Sequence, residues 1–270
     1  MTKTVGIIGC GWLGLPLAKH FVDRGFSVKG TTTSENKVKI LKEAGISPYR
    51  ISLSAHKIQG PVSGFLEHLP ILIINVPPGL RGKGPKESYI KKMVLLHNEI
   101  KKTAIKKVLF VSSTSVYGDV PGDVTEETTP NPVTESGRQL LASENLFREN
   151  KNLQTTIIRF GGLIGPNRHP VTMLSGRENL KGGDAPVNLI HLDDCINLIH
   201  AIIKYEQWGE VFNGVYPDHP LKKDYYAAEA LKRSIEPPEY QVFEDKSHKK
   251  IDTCKYFLIN NKILYTSIHS

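Results

Sequence analysis

The residues best suited to chemistry lie where glycines punctuate an apolar run. Residues 5–14 read VGIIGCGWLG, a GxGxxG spacing carried by Gly9, Gly11 and Gly14. Each glycine has a separable task. Gly9 permits a tight turn, Gly11 lets the backbone approach a pyrophosphate, and Gly14 lets the next helix pack close to the strand. Trp12 and Leu13 then open that helix, whose free N–H groups and positive dipole end suit an anion. The chemistry implied is the binding of a nicotinamide dinucleotide. Residues 28–37 read VKGTTTSENK. NAD enzymes usually place Asp or Glu at this point to grip the ribose hydroxyls. Here Thr31, Thr32, Thr33 and Ser34 offer hydroxyls and Lys37 a cation, a set that favours a 2′-phosphate. NADP(H) is therefore the favoured cofactor, and Glu35 keeps NAD(H) open. Ser34 also suits the N-cap of a following helix, a role compatible with phosphate binding.

The elements that must position these groups follow from the apolar pattern. Residues 5–8 read as a buried strand, and 11–24 as a helix with Leu13, Leu17 and Phe21 on one stripe, ended by Gly25. Strand 26–31 and helix 36–44 come next. The continuous apolar run 71–76 fits a parallel strand covered on both faces. Helix 91–103, strand 108–112, helix 135–149 and strand 155–160 continue the alternation. This rhythm predicts an α/β fold, a doubly wound parallel sheet of Rossmann type with right-handed crossovers. After residue 165 it breaks. Residues 166–184 are rich in Gly, Pro and Asn and read as a long loop. A helix at 193–205, a strand at 211–215 and a helix at 223–233 follow. The expected organisation is a Rossmann core over 1–165 with 185–220 packing back onto it. Residues 166–184 and 221–270 would form a small C-terminal substrate lobe, and 256–270 carry no legible motif. The binding crevice should lie beyond the carboxyl ends of the strands.

Composition excludes several classes. The net charge is +8, but the basic residues are scattered as pairs, such as Lys91 with Lys92 and Lys249 with Lys250, which suits solvated faces. No nucleic-acid motif accompanies them, so the phosphates of a dinucleotide are partner enough. Cys10, Cys195 and Cys254 have no CxxC spacing, which argues against disulfides and zinc. No metal-ligand cluster and no GxSxG elbow occurs. No stretch approaches a membrane span and no signal-type apolar region follows the N-terminus, so the expectation is a soluble, cytoplasmic protein.

Residues 108–118 read VLFVSSTSVYG. With Thr125-Glu126-Glu127, Pro130-Asn131-Pro132, the stretch IRFGGLIGP at 158–166, VNLIHLDD at 187–194 and VFNG at 211–214, this resembles the extended short-chain dehydrogenase/reductase family of sugar-nucleotide epimerases and dehydratases. The motifs occur in the family's order, and the likeness spans nearly the whole chain, weakening after about residue 235. It implies that Ser112 and Ser113 face the nicotinamide, with Ser113 at the family's catalytic Ser/Thr position. It also implies that Asn75, Val76 and Pro77 border the cofactor, and that the substrate is a small, anionic or sugar-nucleotide-like molecule.

The likeness fails at the family's catalytic Tyr and Lys, a general acid–base pair four residues apart. Residues 134–144 read TESGRQLLASE, which puts Ser136 at the tyrosine position and Leu140 at the lysine position. Ile8 stands where the family's first glycine falls. These departures resemble the atypical branch of the family, so its chemistry is not simply inherited. Tyr117 is an alternative proton donor, with Ser113 and Ser136 completing the catalytic set. Arg138 and Arg159 suit an anionic substrate, although Arg138 can equally pair with Glu135, three residues away on the same helix, and Arg159 can equally pair with a carboxylate. His191 suits the substrate side as a base or as a structural hydrogen-bonding group. Arg168 and His169 read as pocket-lining or plain loop polars. The expected function is an NADP-dependent oxidoreductase or epimerase-like enzyme with non-standard acid–base residues. The alternative is a non-catalytic dinucleotide sensor. A β-hydroxyacid dehydrogenase, suggested by GxGxxG alone, ranks last because no long helical C-terminal domain fits.

Overall fold

The computed structural model describes residues 3–80, 86–242, 248–253, 255 and 262–269. The elements, in chain order, are β1 (Thr4–Ile8), α1 (Gly14–Val22), β2 (Ser27–Thr32), α2 (Glu35–Glu43), β3 (Ser47–Arg50), β4 (Ser52–Leu53), β5 (Ile58–Gln59), α3 (Val62–Leu66), β6 (Ile71–Ile74) and α4 (Tyr89–Ile100). They continue with β7 (Lys107–Ser113), a 3-10 turn (Thr114–Tyr117), β8 (Gly122–Val124), α5 (Glu135–Arg148), β9 (Gln154–Phe160), β10 (Gly162–Ile164), α6 (Val171–Leu174), β11 (Leu189–His191), α7 (Leu192–Lys204), β12 (Val211–Gly214), α8 (Lys222–Lys232) and β13 (Lys249–Ile251).

Seven strands form one sheet in the order β12-β9-β7-β6-β1-β2-β3, every pair parallel. The strand order reverses between β1 and β6, and an open α/β sheet binds ligands at that switch point. The apolar runs explain the centre. All four residues of β6 are buried, as are Val108, Leu109 and Phe110 of β7, which suits strands covered on both faces. One core cluster packs α1 and α7 against the sheet through Leu17, Phe21, Leu198 and Ile202. A second packs α4 and α5 on the opposite side through Met93, Leu96, Leu140 and Phe147. A third, smaller cluster joins Ile164, Val171, Val187, Leu189, Tyr225 and Tyr226.

One local expectation needs correction, and several short strands had no expectation attached. The end of the first mononucleotide half contains β3, whose sequence SPYR has no apolar run. It pairs with β2 as an edge strand and is half exposed. The stretch 166–184 is not all loop, because 171–174 forms the short helix α6. The small parallel pairs β10–β11 and β8–β13 were not legible. Each has three-residue strands, too short to show a periodicity. Cys10 and Cys195 are buried free thiols, and Cys254 lies outside the described residues, as do 256–261. Among the described residues no helix is long and apolar enough to cross a membrane.

Candidate functional site: a cationic cleft at the strand switch point

The glycine turn is held in place from both neighbouring strands. The Gly9 amide donates to the Thr31 hydroxyl (2.9 Å), and the Cys10 amide donates to the Thr31 carbonyl (2.9 Å). From the other side the Asn75 side chain donates to the Gly9 carbonyl (3.1 Å). Gly9 has φ +98°, and a Cβ there would lie 2.4 Å from the Asn75 carbonyl oxygen. A Cβ on Gly14 would lie 2.1 Å from the Gly9 carbonyl oxygen. Both positions therefore demand glycine for packing. Gly11 differs, because a Cβ built there meets nothing within 4 Å. Its missing side chain leaves open space instead of relieving a clash. That is the cradle a diphosphate requires. Helix α1 begins without a side-chain cap. The Gly11 amide donates to the Gly9 carbonyl, the Leu15 amide donates to the Gly11 carbonyl, and Pro16 has no N–H. The amides placed for an external anion are therefore those of Trp12, Leu13 and Gly14.

The turn opens into a cleft of about 520 Å³ lined on one side by Gly9, Gly11, Trp12 and Leu13, and at the end of β2 by Thr31, Thr32, Thr33 and Lys37. Asn75, Val76 and Pro77 line its other wall, with Ser112 and Ser113 at its floor. The buried Tyr89 hydroxyl fixes that wall by donating to the Val76 carbonyl (2.9 Å). Among the described residues, three cations face the cleft, namely Lys37, Lys92 and Arg168, and no Asp or Glu lines it. Lys92 is paired with Glu87 (2.7 Å). Lys37 and Arg168 have no carboxylate within 4 Å among the described residues. Glu35, the residue that kept NAD open, points its carboxylate to Arg50 (2.5 Å) and does not line the cleft. Cys10 lines the cleft too, but burial pushes its thiol up to about 12, so it stays protonated.

The β2 hydroxyls divide by role. Thr31 is buried and holds Gly9, and Thr32 accepts from the Ser34 amide (3.1 Å). Thr33 and Lys37 are exposed at the rim. Ser34 stands at the N-cap position of α2 without a side-chain cap bond, outside the cleft lining.

Of the residues expected near the reacting end, Ser113 lines the cleft, and its hydroxyl accepts from the Ser115 amide (3.2 Å). Ser112, one residue earlier and so on the other face of β7, is buried and donates to Glu144. Leu140 of α5 lines the cleft with its apolar side chain. Helix α5 contains neither a tyrosine nor a lysine. Ser136 sits one turn earlier and lines a neighbouring cavity of about 460 Å³, together with Lys86, Glu87, Ser88, Glu135 and Gln139. The Lys92–Glu87 ion pair links the rims of the two cavities.

Four expected site residues, Tyr117, Arg159, Arg138 and His191, line neither cavity. Tyr117 is fully buried; its hydroxyl donates to Asn213 Oδ1 and accepts from Arg159, both at 2.9 Å. Burial raises its pKa, an effect that Arg159 partly offsets. It lines neither cavity, so a displaced proton donor is not what this tyrosine is placed to be. Arg159 is equally enclosed. Its guanidinium forks onto Glu144, with Nη2 2.7 Å from Oε2, and lies over the Tyr117 ring at 4.8 Å. Buried and lining neither cavity, this arginine is not placed to meet a substrate. Arg138 is exposed and spent on Glu135 (3.1 Å) and the Val133 carbonyl (3.0 Å), the surface pairing that its spacing allowed. His191 caps α7, its Nδ1 accepting from the Asp193 amide (3.2 Å). His169 is buried against Tyr225 (3.0 Å).

The reading of spacing alone missed Lys92 and left Arg168 undecided. Lys92 carried a signal, since helical spacing puts it one turn before Leu96 on the sheet-facing side of α4. Arg168 carried none, because its position depends on a turn that folds back onto Trp12.

The sequence model of the NAD dependent epimerase/dehydratase family matches residues 7–213. Protein YeeZ of Escherichia coli K12 is 34% identical over 250 residues, covering 92% of this chain and 90% of that protein. Among solved structures, MoeE5 in complex with UDP-glucose and NAD superposes with a TM-score of 0.79 at 18% identity, over 99% of this chain and 95% of that one. UDP-glucuronic acid 4-epimerase from Bacillus cereus in complex with NAD gives the same TM-score and identity, over 99% of this chain and 93% of that one. Likeness at such identity concerns the fold.

Proposed function

The chain belongs to the NAD dependent epimerase/dehydratase family, and we propose that it is an NADP(H)-binding oxidoreductase or epimerase-like enzyme acting on a sugar-nucleotide-like substrate with non-standard acid–base residues. The observation that carries the reading is the charge of the cleft, which presents Lys37, Lys92 and Arg168 and no carboxylate. A dinucleotide with a 2′-phosphate is the ligand whose charge this lining matches. Gly11 and the uncapped start of α1 would hold the diphosphate, and Thr33 with Lys37 would hold the 2′-phosphate. When bound, the nicotinamide supplies hydride exchange with a carbon of the substrate.

This chain's own contribution at that end is spare. Ser113 presents a hydroxyl at the floor of the cleft, and Leu140 excludes water beside it. Ser136 faces the neighbouring cavity, which is of a size to take the substrate. A serine hydroxyl bonds and orients well but is a poor proton donor beside an activated phenol. The substrate's own acidity would therefore carry more of the proton transfer than in relatives with a tyrosine. The UDP-sugar complexes of the structural neighbours motivate the substrate class.

One observation favours the second reading, a dinucleotide sensor. The only tyrosine of the SSTSVYG stretch is enclosed, and α5 offers no tyrosine or lysine. The test is nicotinamide absorbance of the NADPH-loaded chain, and of the NADP-loaded chain, mixed with UDP-sugars. Redox change or sugar isomerisation in the wild type, lost in Ser113→Ala, supports the enzyme. Dinucleotide binding with no turnover of any UDP-sugar supports the sensor.

A further inference from the structure

The segment after β10 makes a two-residue reversal at Pro166 and Asn167. Gly165 and Arg168 exchange backbone hydrogen bonds, each 3.0 Å. Proline fixes the first corner, and Asn167 takes the left-handed second corner with φ 56°. The turn is docked on Trp12. The indole Nε1 donates to the Pro166 carbonyl (3.0 Å), and a Cβ on Gly165 would lie 3.2 Å from the Trp12 ring. Arg168 leaves this turn with its guanidinium 4.8 Å from the centre of the Trp12 ring. Both side chains line the cleft beside Gly9 and Gly11. An arginine held over an indole face by a cation–π contact is restricted in advance of binding and still has N–H groups to offer a ligand. Arg168 has no carboxylate partner among the described residues.

We propose that Arg168 is a cofactor-binding residue whose guanidinium, held on the Trp12 ring, bonds the dinucleotide's diphosphate opposite the glycine turn. The inference rests on the reading of the cleft as a dinucleotide site. Backbone amides at the start of α1 would take one side of the diphosphate and Arg168 the other. The arginine would come from residues more than 150 positions later in the chain, so binding would tie the turn after β10 to the first strand of the sheet.

Trp12 gives the site its own reporter. The chain has two tryptophans, and Trp208 lies at the amino end of β7, near Lys107, away from the cleft. The experiment titrates NADPH and NADH separately into wild type, Arg168→Ala, Arg168→Lys and Trp12→Phe, reading calorimetric Kd and tryptophan fluorescence. Arg168→Ala should raise Kd by about tenfold for both dinucleotides, because the diphosphate is common to them. Arg168→Lys should recover part of the loss, and Trp12→Phe should remove most of the fluorescence quenching. An unchanged Kd in Arg168→Ala overturns the proposal, as does a loss confined to NADPH, which would move the guanidinium to the 2′-phosphate. If Arg168→Ala melts abnormally, Arg168→Gln at the same exposed position gives the same reading. Wild type that binds neither dinucleotide would defeat the cleft reading itself, whereas binding untouched by Arg168→Ala would defeat only this inference.

Discussion

Two regions of this molecule use the same residue types in opposite ways. In the cleft, Lys37 and Arg168 have no carboxylate partners among the described residues. From Ser112, which borders the cleft, a chain of hydrogen bonds runs through Glu144, Arg159 and Tyr117 to Asn213, and every member is buried. Asn213 extends it, its amide donating to Glu126 (2.7 Å) and its side chain to the Asp252 carbonyl (2.8 Å). The first region is arranged for a ligand that brings negative charge. The second has already satisfied itself and ties β7, α5, β9 and β12 together. Residue type nominates a site, and the absence of a partner within the fold decides between a site and a brace.

The strongest way to break this contrast is to disturb the brace. Arg159→Leu leaves Glu144 buried without its counter-ion. A loss of about 3–5 kcal/mol is expected, read as a shift in urea or thermal unfolding, with proportionate loss of bound dinucleotide only where the chain unfolds. If this variant kept wild-type stability yet lost substrate turnover, Arg159 would belong to the site after all.

A pH effect comes next. Burial lowers the His169 pKa to about 4 from 6.5, and Arg233 adds to the effect while Glu229 opposes it. The folded chain thus keeps the ring neutral where the unfolded chain takes up a proton. The stability from the neutral ring is complete above about 6.5 and is lost as pH falls from there toward 4. Up to about 3 kcal/mol should disappear across that window, and His169→Gln should flatten this part of the profile. A profile identical in the two proteins would contradict the assignment.

The three glycines sharpen the comparison. Gly14→Ala drives a Cβ to 2.1 Å from the Gly9 carbonyl oxygen, so stability and binding should fall together. Gly11→Ala meets open space, so stability should hold within about 0.5 kcal/mol while dinucleotide affinity drops by roughly tenfold. Parallel melts and titrations separate the two. Equal affinities for Gly11→Ala and wild type would remove the cradle. The smallest effect is expected at Arg138, whose exposed pair with Glu135 should contribute less than about 0.5 kcal/mol. Arg138→Ala should leave melting and dinucleotide binding where they were.

The contrast also shows what the sequence made legible. The runs at 5–8, 71–76 and 108–112 announced β1, β6 and β7 because burial on both faces leaves no alternation to confuse. The glycine turn and the end of β2 were legible because the site there is continuous in sequence. The edge strand β3 was not, since SPYR is held by backbone pairing and not by an apolar face. Arg159 stayed open between a carboxylate and a substrate phosphate because a lone arginine in a strand does not show what it meets; the carboxylate is Glu144. A signal was present, however. Leu140, Ser143, Glu144 and Phe147 are the buried stripe of α5, so Glu144 sits at a core position and needs a buried cation. Arg168 stayed undecided because its place depends on a turn meeting a tryptophan from the far end of the chain.

The most direct test of the account is the affinity of the purified chain for NADPH against NADH, measured with wild type and Lys37→Ala. The account predicts tighter binding of NADPH, and a loss of about tenfold or more in Lys37→Ala for NADPH alone. Preference for NADH, or a Lys37→Ala variant that binds NADPH as wild type does, would contradict the phosphate-binding role of the cationic rim.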